Sequence, residues 1–111
     1  MPRAYFGTTI YTVRPGDTLH NIAHNHITTI ENILKFNRNI VDPNRIYPGQ
    51  RIIIPWSPPR AIIYTVRPGD SLYSIARKYG TSVRNLIMFN YLTPPYTIYP
   101  NQQLVVTPSL G

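Results

Sequence analysis

The heptapeptide Tyr11-Thr12-Val13-Arg14-Pro15-Gly16-Asp17 recurs unchanged as Tyr64-Thr65-Val66-Arg67-Pro68-Gly69-Asp70. Such identity within 111 residues marks an internal duplication, and a duplicated chain folds as copies of one unit, not as one larger core. The offset that carries Tyr11 onto Tyr64 also carries Leu19 onto Leu72, Ile22 onto Ile75, Ala23 onto Ala76, Ile33 onto Leu86 and Asn37 onto Asn90. After one deletion, Ile46-Tyr47-Pro48 aligns with Ile98-Tyr99-Pro100, Gln50 with Gln102, and Ile52-Ile53-Ile54 with Leu104-Val105-Val106. The repeats run over 11–55 and 64–107. With their flanks they divide the chain into a tail (1–8), a first module (9–55), a linker (56–61), a second module (62–107) and a tail (108–111).

A unit of roughly 45 residues has a marginal core, and domains of this size usually lean on disulfides, metals or a neighbour. Cysteine is absent, so each unit must rely on its own packing, helped at most by its twin. The stretch Met1 to Gly7 lacks an apolar run long enough for a signal peptide, and no segment reaches the ~20 apolar residues of a membrane span. The chain is expected to be soluble.

Residues 8–14 are rich in β-branched and aromatic types, with Tyr11 and Val13 on one face, and Pro15-Gly16 ends the run as a turn. The period then changes. Leu19, Ile22, Ala23 and His26 form the stripe of a short amphipathic helix, with Asp17 or Thr18 as N-cap. Thr28 and Glu31 have the spacing of a capping box for a second helix carrying Ile30, Ile33 and Leu34 and ending near Asn37. A loop over 38–50, turned by Pro48-Gly49, leads to an apolar strand at 51–54.

The second repeat reads the same way: strand 62–67, a helix with Leu72, Ile75, Ala76 and Tyr79, a break at Gly80, a helix with Val83, Leu86 and Ile87, then strand 103–106. Each unit is β-α-α-β in an α+β fold, with both helices on one face of a two-stranded antiparallel sheet. The proline-rich 55–61 is a semi-rigid spacer. Its Trp56 either packs between the units or stays open to a ligand, and packing is the expectation.

The formal net charge of +7 favours polyanions, among them teichoic-type wall polymers and nucleic acid. Apart from Arg14 and Arg67, the basic positions do not coincide between repeats, and no helix is studded with arginine, which disfavours nucleic-acid recognition. Glycoside hydrolysis needs paired carboxylates ~5–9.5 Å apart. Only four acids exist, and the one repeated pair, Asp17 and Asp70, is split between the units. No enzymatic activity is expected. His20 and His24 stand at metal-binding spacing, but Tyr73 and Arg77 replace them in the second copy, so the cluster reads as solvated helix surface, with no metal or cofactor.

Taken together, Val13-Arg14-Pro15-Gly16-Asp17-Thr18-Leu19, Ile22-Ala23, Asn37 and Pro43-Asn44-Arg45-Ile46-Tyr47-Pro48-Gly49-Gln50, repeated in the second unit, resemble the lysin motif (LysM). The resemblance implies a βααβ fold and a non-catalytic module that binds N-acetylglucosamine-containing glycans, either peptidoglycan or chitin. It also implies a place in the cell envelope, cell wall or spore surface of a bacterium. The family's groove lies between the loop after the first strand and the loop before the last. Carried over by position, it would be lined by Gly16, Asp17, Thr18, Leu19, Asn44, Arg45 and Ile46 in the first module. The second module's lining would be Gly69, Asp70, Ser71, Leu72, Tyr96, Thr97 and Ile98.

In that reading Gly16 and Gly69 let the sugar approach the backbone, while Ile46 and Ile98 supply apolar contact. Asp17 and Asp70 either cap helices or touch ligand. Asn37 and Asn90 tie the helix end to the loop, and Tyr47 and Tyr99 are partly buried beside their turns. A second reading is an assembly or targeting module of a cell or spore envelope that binds protein partners or anionic polymers. Two departures separate the copies. Ile27 stands where the second copy has Gly80, and Asn101 stands where the first has Gly49. The loop 91–97 is also one residue shorter than its counterpart.

Overall fold

The computed structural model describes residues 7–108. The expected tails, and the N-terminal stretch read for a signal peptide, lie almost wholly outside these residues. The chain forms two compact units divided between Trp56 and Ser57. The first contains β1 (Thr8–Thr12), α1 (Leu19–Asn25), α2 (Ile30–Phe36) and β2 (Arg51–Pro55). The second contains β3 (Ile62–Thr65), α3 (Leu72–Tyr79), α4 (Val83–Phe89) and β4 (Gln103–Val106). No helix among the described residues is long and apolar enough to cross a membrane.

Each sheet is an antiparallel pair, β1 with β2 in the register Ile10 opposite Ile53, and β3 with β4 in the register Tyr64 opposite Leu104. Both opening strands are shorter than the sequence suggests, because Pro15 and Pro68 start the turn and lack the N–H that a ladder needs. The pairing nonetheless continues past the strand ends. Val13 N–H donates to the Gln50 carbonyl (2.8 Å) and Gly49 N–H to the Val13 carbonyl (2.8 Å), with Val66, Gln102 and Asn101 repeating the pattern.

Alternation along β1 and β2 turns Val13, Ile52 and Ile54 inward, where they meet Leu19, Ile22 and Ala23 of α1 and Ile33 of α2. The second core repeats this with Tyr64, Val66, Ile75, Ala76, Leu86, Leu104 and Val106. Each fully buried aliphatic side chain contributes about 1.5–3 kcal/mol, so a core this small tolerates little truncation.

Thr18, not Asp17, caps α1, its Oγ1 accepting from the Asn21 N–H (3.1 Å). The expected capping box of Thr28 and Glu31 does not form. Thr28 N–H is drawn back to the Ala23 carbonyl (3.0 Å) to close α1, so the cap of α2 falls on Thr29, which accepts from Asn32 N–H (3.0 Å). In the second unit Ser71 and Ser74 do form a reciprocal box, and Ser82 caps α4.

Between the helices the chain turns through a left-handed residue in both copies. It is Gly80 (φ +69°) in the second and Ile27 (φ +51°) in the first. For a β-branched residue that conformation costs about 1–2 kcal/mol. Asn101 (φ +74°) adopts the left-handed turn that Gly49 (φ +88°) makes in the first unit, as an asparagine can.

Asn37 and Asn90 are buried, and their partners differ from the expected loop contacts. Asn37 Nδ2 donates to the carbonyls of Ile33 (2.6 Å) and Ile53 (2.8 Å), while its Oδ1 accepts from Ile53 N–H (2.8 Å). Asn90 does the same to Leu86 and Val105. The side-chain amide thus acts as one rung of a third strand along the open edge of β2 or β4. It ties the end of α2 or α4 to the closing strand.

Candidate functional site

The first and last residues of the duplicated heptapeptide are bonded to each other. Tyr11 Oη donates to Asp17 Oδ2 (2.6 Å), which also accepts from the Arg14 backbone N–H (2.8 Å). In the second unit Tyr64 donates to Asp70 (2.5 Å), joined by Arg67 N–H (2.8 Å). A turn closed by Asp17 N–H on the Arg14 carbonyl (3.0 Å), and by Asp70 N–H on that of Arg67 (3.0 Å), completes the clasp. It fixes the β1–α1 and β3–α3 turns.

The tyrosine hydroxyl, and after it the arginine backbone N–H, holds each carboxyl below the ordinary aspartate range. The same bond raises both tyrosines above theirs. The aspartates are therefore anchors of a turn, each holding two protein donors through Oδ2, and neither caps a helix.

In the first unit a cleft of about 130 Å³ opens between that turn and the loop before β2. Asp17, Thr18 and Leu19 line one side, and Pro43, Asn44 and Ile46 the other, with His20 next to Leu19. Five of the sequence-derived residues thus meet in one place: Asp17, Thr18, Leu19, Asn44 and Ile46. Gly16 and Arg45 lie outside this lining. Gly16 is required by its φ of +89°, and space lies open where its Cβ would be. Arg45 turns into a neighbouring cleft beside Asp42, to which it is paired at 3.5 Å, and Tyr47.

His20 and Pro43 were not assigned to the groove from sequence. Pro43 opens the very motif that aligned the loops, and His20 directly follows Leu19. The cleft has an aliphatic wall in Leu19 and Ile46, a hydroxyl in Thr18 and an amide in Asn44. Its one carboxylate is already engaged.

In the second unit the corresponding turn holds Gly69 (φ +89°), Asp70, Ser71 and Leu72, and the facing loop holds Tyr96, Thr97 and Ile98. Leu72 and Ile98 both pack on the core edge, which brings the two loops to one side of the module. Ser71 is occupied as the cap of α3. Tyr96 takes a left-handed φ of +60° and donates its N–H to the Thr93 carbonyl (2.8 Å), whereas the longer loop of the first unit turns one position later, with Arg45 N–H on the Asp42 carbonyl (2.9 Å). Tyr47 and Tyr99, expected to be partly buried, are both 64% exposed, and Trp56, expected to be packed, is 40% exposed. The P-G-Q and P-N-Q turns hold each tyrosine by its backbone alone, through Gln50 (3.1 Å) and Gln102 (2.9 Å), and leave the ring outside.

The model of the LysM domain matches residues 11–55 and 64–107. This chain belongs to the LysM family. Its LysM pair is 37% identical over 110 residues to the N-acetylmuramoyl-L-alanine amidase sle1 of Staphylococcus epidermidis, a match covering 88% of this chain and 33% of that protein. It is 38% identical over 84 residues to the endolysin of Bacillus phage B103, covering 75% of this chain and 32% of the endolysin. The chain thus spans about a third of the length of these relatives. Among solved structures, the spore cortex-lytic enzyme SleL of Bacillus megaterium aligns with 94% of this chain and 23% of its own length, at 28% identity and a TM-score of 0.46.

Proposed function

We propose that the two LysM modules are non-catalytic binding units for N-acetylglucosamine-containing glycans, with peptidoglycan as the polymer. The observation that carries this reading is the cleft of the first module, where aliphatic walls and neutral polar groups converge and the only carboxylate is committed to Tyr11 and Arg14. An N-acetylated sugar presents a methyl group, an amide and hydroxyls, and no charge. That chemistry matches such a lining.

Hydrolysis of a glycan would need a carboxylic acid kept protonated by a raised pKa. Asp17 and Asp70 are shifted the opposite way. The relatives named for muramoyl-alanine cleavage extend well beyond the matched region, which supports a targeting role for this part and a place at the cell wall.

A shallow neutral groove binds weakly by itself, and two on one chain raise apparent affinity by ~10²–10⁴ when both reach one polymer. The test is sedimentation of the full chain with insoluble peptidoglycan and with chitin, beside Asn44→Trp, which fills the first cleft from an exposed loop position. Retention by peptidoglycan, reduced at least tenfold by Asn44→Trp, is expected. A wild-type chain that stays in the supernatant would refute the reading.

A further inference from the structure

On the second module a cleft of about 360 Å³ runs from Arg67 and Pro68 of the β3–α3 turn along β3 to the C-terminal end of α3, and none of Gly69, Asp70, Ser71, Leu72, Tyr96, Thr97 and Ile98 lines it. Arg67, Lys78, Tyr79 and Asn101 line it, with Tyr64 at its base. The Lys78 ammonium sits 5.3 Å from the ring centre of Tyr64 and 5.7 Å from that of Tyr79, a cation–π arrangement that steadies a long exposed side chain. The two rings pack edge to face at 5.5 Å. The nearest acid, Asp70, has its carboxylate taken by the Tyr64 hydroxyl and the Arg67 N–H. Neither Arg67 nor Lys78 forms an ion pair among the described residues.

Two cations therefore converge with an amide side chain, while the ionised Asp70 lies outside the lining and offsets part of their charge. The first module does not repeat this: Asn25 stands for Lys78, His26 for Tyr79 and Gly49 for Asn101, and of the two cations only the arginine, Arg14, is retained.

We infer that this cleft is an anion site of the second module, taking the phosphate groups of a phosphodiester-linked polyol polymer of the cell wall. Arginine binds a phosphate through two parallel N–H bonds and lysine as a point charge, and the asparagine amide adds a neutral donor. The choice of a wall polymer over a nucleic acid rests on the glycan-binding reading above. The cleft's own rings support it as well, because Lys78 already lies over Tyr64 and Tyr79, on which bases would otherwise stack there. Each exposed cation contributes little alone, so a single phosphate binds weakly and a chain of them binds through many contacts.

The test is a ¹⁵N–¹H titration of the full chain with oligomeric glycerol phosphate at low and at physiological salt, beside a single-stranded oligonucleotide of equal charge and anionic phosphatidylglycerol vesicles. Glycerol phosphate is expected to shift the amides of Arg67, Lys78, Tyr79 and Asn101, to leave Arg14, Asn25, His26 and Gly49 in place, and to weaken as salt rises. Lys78→Asn, which installs the residue of the first module, weakens binding about 2- to 5-fold. Asn25→Lys brings new shifts to the first module.

Shifts spread over the basic residues of both modules, or a titration indifferent to Lys78→Asn, would overturn the site. Tighter binding of the oligonucleotide or the vesicles at the same residues would overturn the polymer assigned to it. Amino-sugar oligomers report on a different set of amides, around Thr18 and Asn44. Failure there with success here refutes the assignment to a wall polymer but not the anion site.

Discussion

The two modules share the bonds that set their opening turns and closing strands, and they differ most in the loop before the closing strand, where Asn44 and Arg45 give way to Tyr96 and Thr97. Both carry the tyrosine–aspartate clasp, the asparagine rung on the closing strand, and a left-handed residue between the helices. They part immediately after the second helix. In the first, Arg38 points outward and Ile40 fills the core edge. In the second, Tyr91 turns through φ +51° and is itself buried, and the loop closes one residue sooner. Duplication has kept the scaffold and released the surface. The second groove is therefore no replica of the first, and a charged cleft adjoins it through Arg67 and Pro68.

The largest expected effect tests the shared scaffold. Asn37→Ala or Asn90→Ala leaves a buried N–H and carbonyl of the closing strand without partners, at about 1–3 kcal/mol for each group. In units this small, either change should unfold its own module, seen as selective loss of that module's dispersed amide signals. Equal cost to both modules would break the picture of two independent cores.

Next in size is the inter-helix turn, where the copies differ in strain. Ile27→Gly should stabilise the first module by about 1 kcal/mol, since Ile27 is exposed and its φ suits glycine. Gly80→Ile should destabilise the second by a similar amount. Chemical denaturation followed by Trp56 fluorescence for the first module, and by amide signals for the second, checks both.

A smaller effect concerns pH. Because the folded carboxyls of Asp17 and Asp70 titrate below their unfolded range, their stabilisation is present above about pH 4 and lost as pH falls through the folded values. The tyrosines are raised, so their share is full below about pH 10 and lost as pH rises further. Tyr11→Phe should flatten both limbs for the first module only, and Tyr64→Phe for the second only, in melting temperatures measured against pH. The least effect is expected from Arg45→Thr, which gives the first loop the residue of the second. Since Arg45 lies outside the cleft, binding of an N-acetylglucosamine oligomer should change less than twofold.

Much of this scaffold was legible in the sequence because its determinants are local. The period change after Asp17 and the turn at Pro15-Gly16 each sit within a few residues of what they control, whereas the cap of α2 falls on Thr29, one residue beyond the Thr28 that the spacing pointed to. The asparagine rungs were not, because Asn37 meets Ile53 only after the chain has folded back on itself. The clasp could have been found, as Tyr11 and Asp17 both lie in the longest stretch that duplication left unchanged. Arg45 was misplaced for another reason. Neighbours along an irregular loop face different sides, and motif alignment assigns them all to one groove. The exposure of Tyr47 and Tyr99 was hidden likewise, since a tight turn holds its backbone and says little about the ring.

The central claim is that each module presents a neutral amino-sugar groove where its first turn meets its last loop. Amide shifts during titration with an N-acetylglucosamine oligomer test it directly. The expected result is a set of shifts confined to 16–20 and 43–46, with a distinct set over 69–72 and 96–98, both nearly unchanged by added salt. Shifts gathered on the basic faces of the helices, or erased by salt, would contradict it.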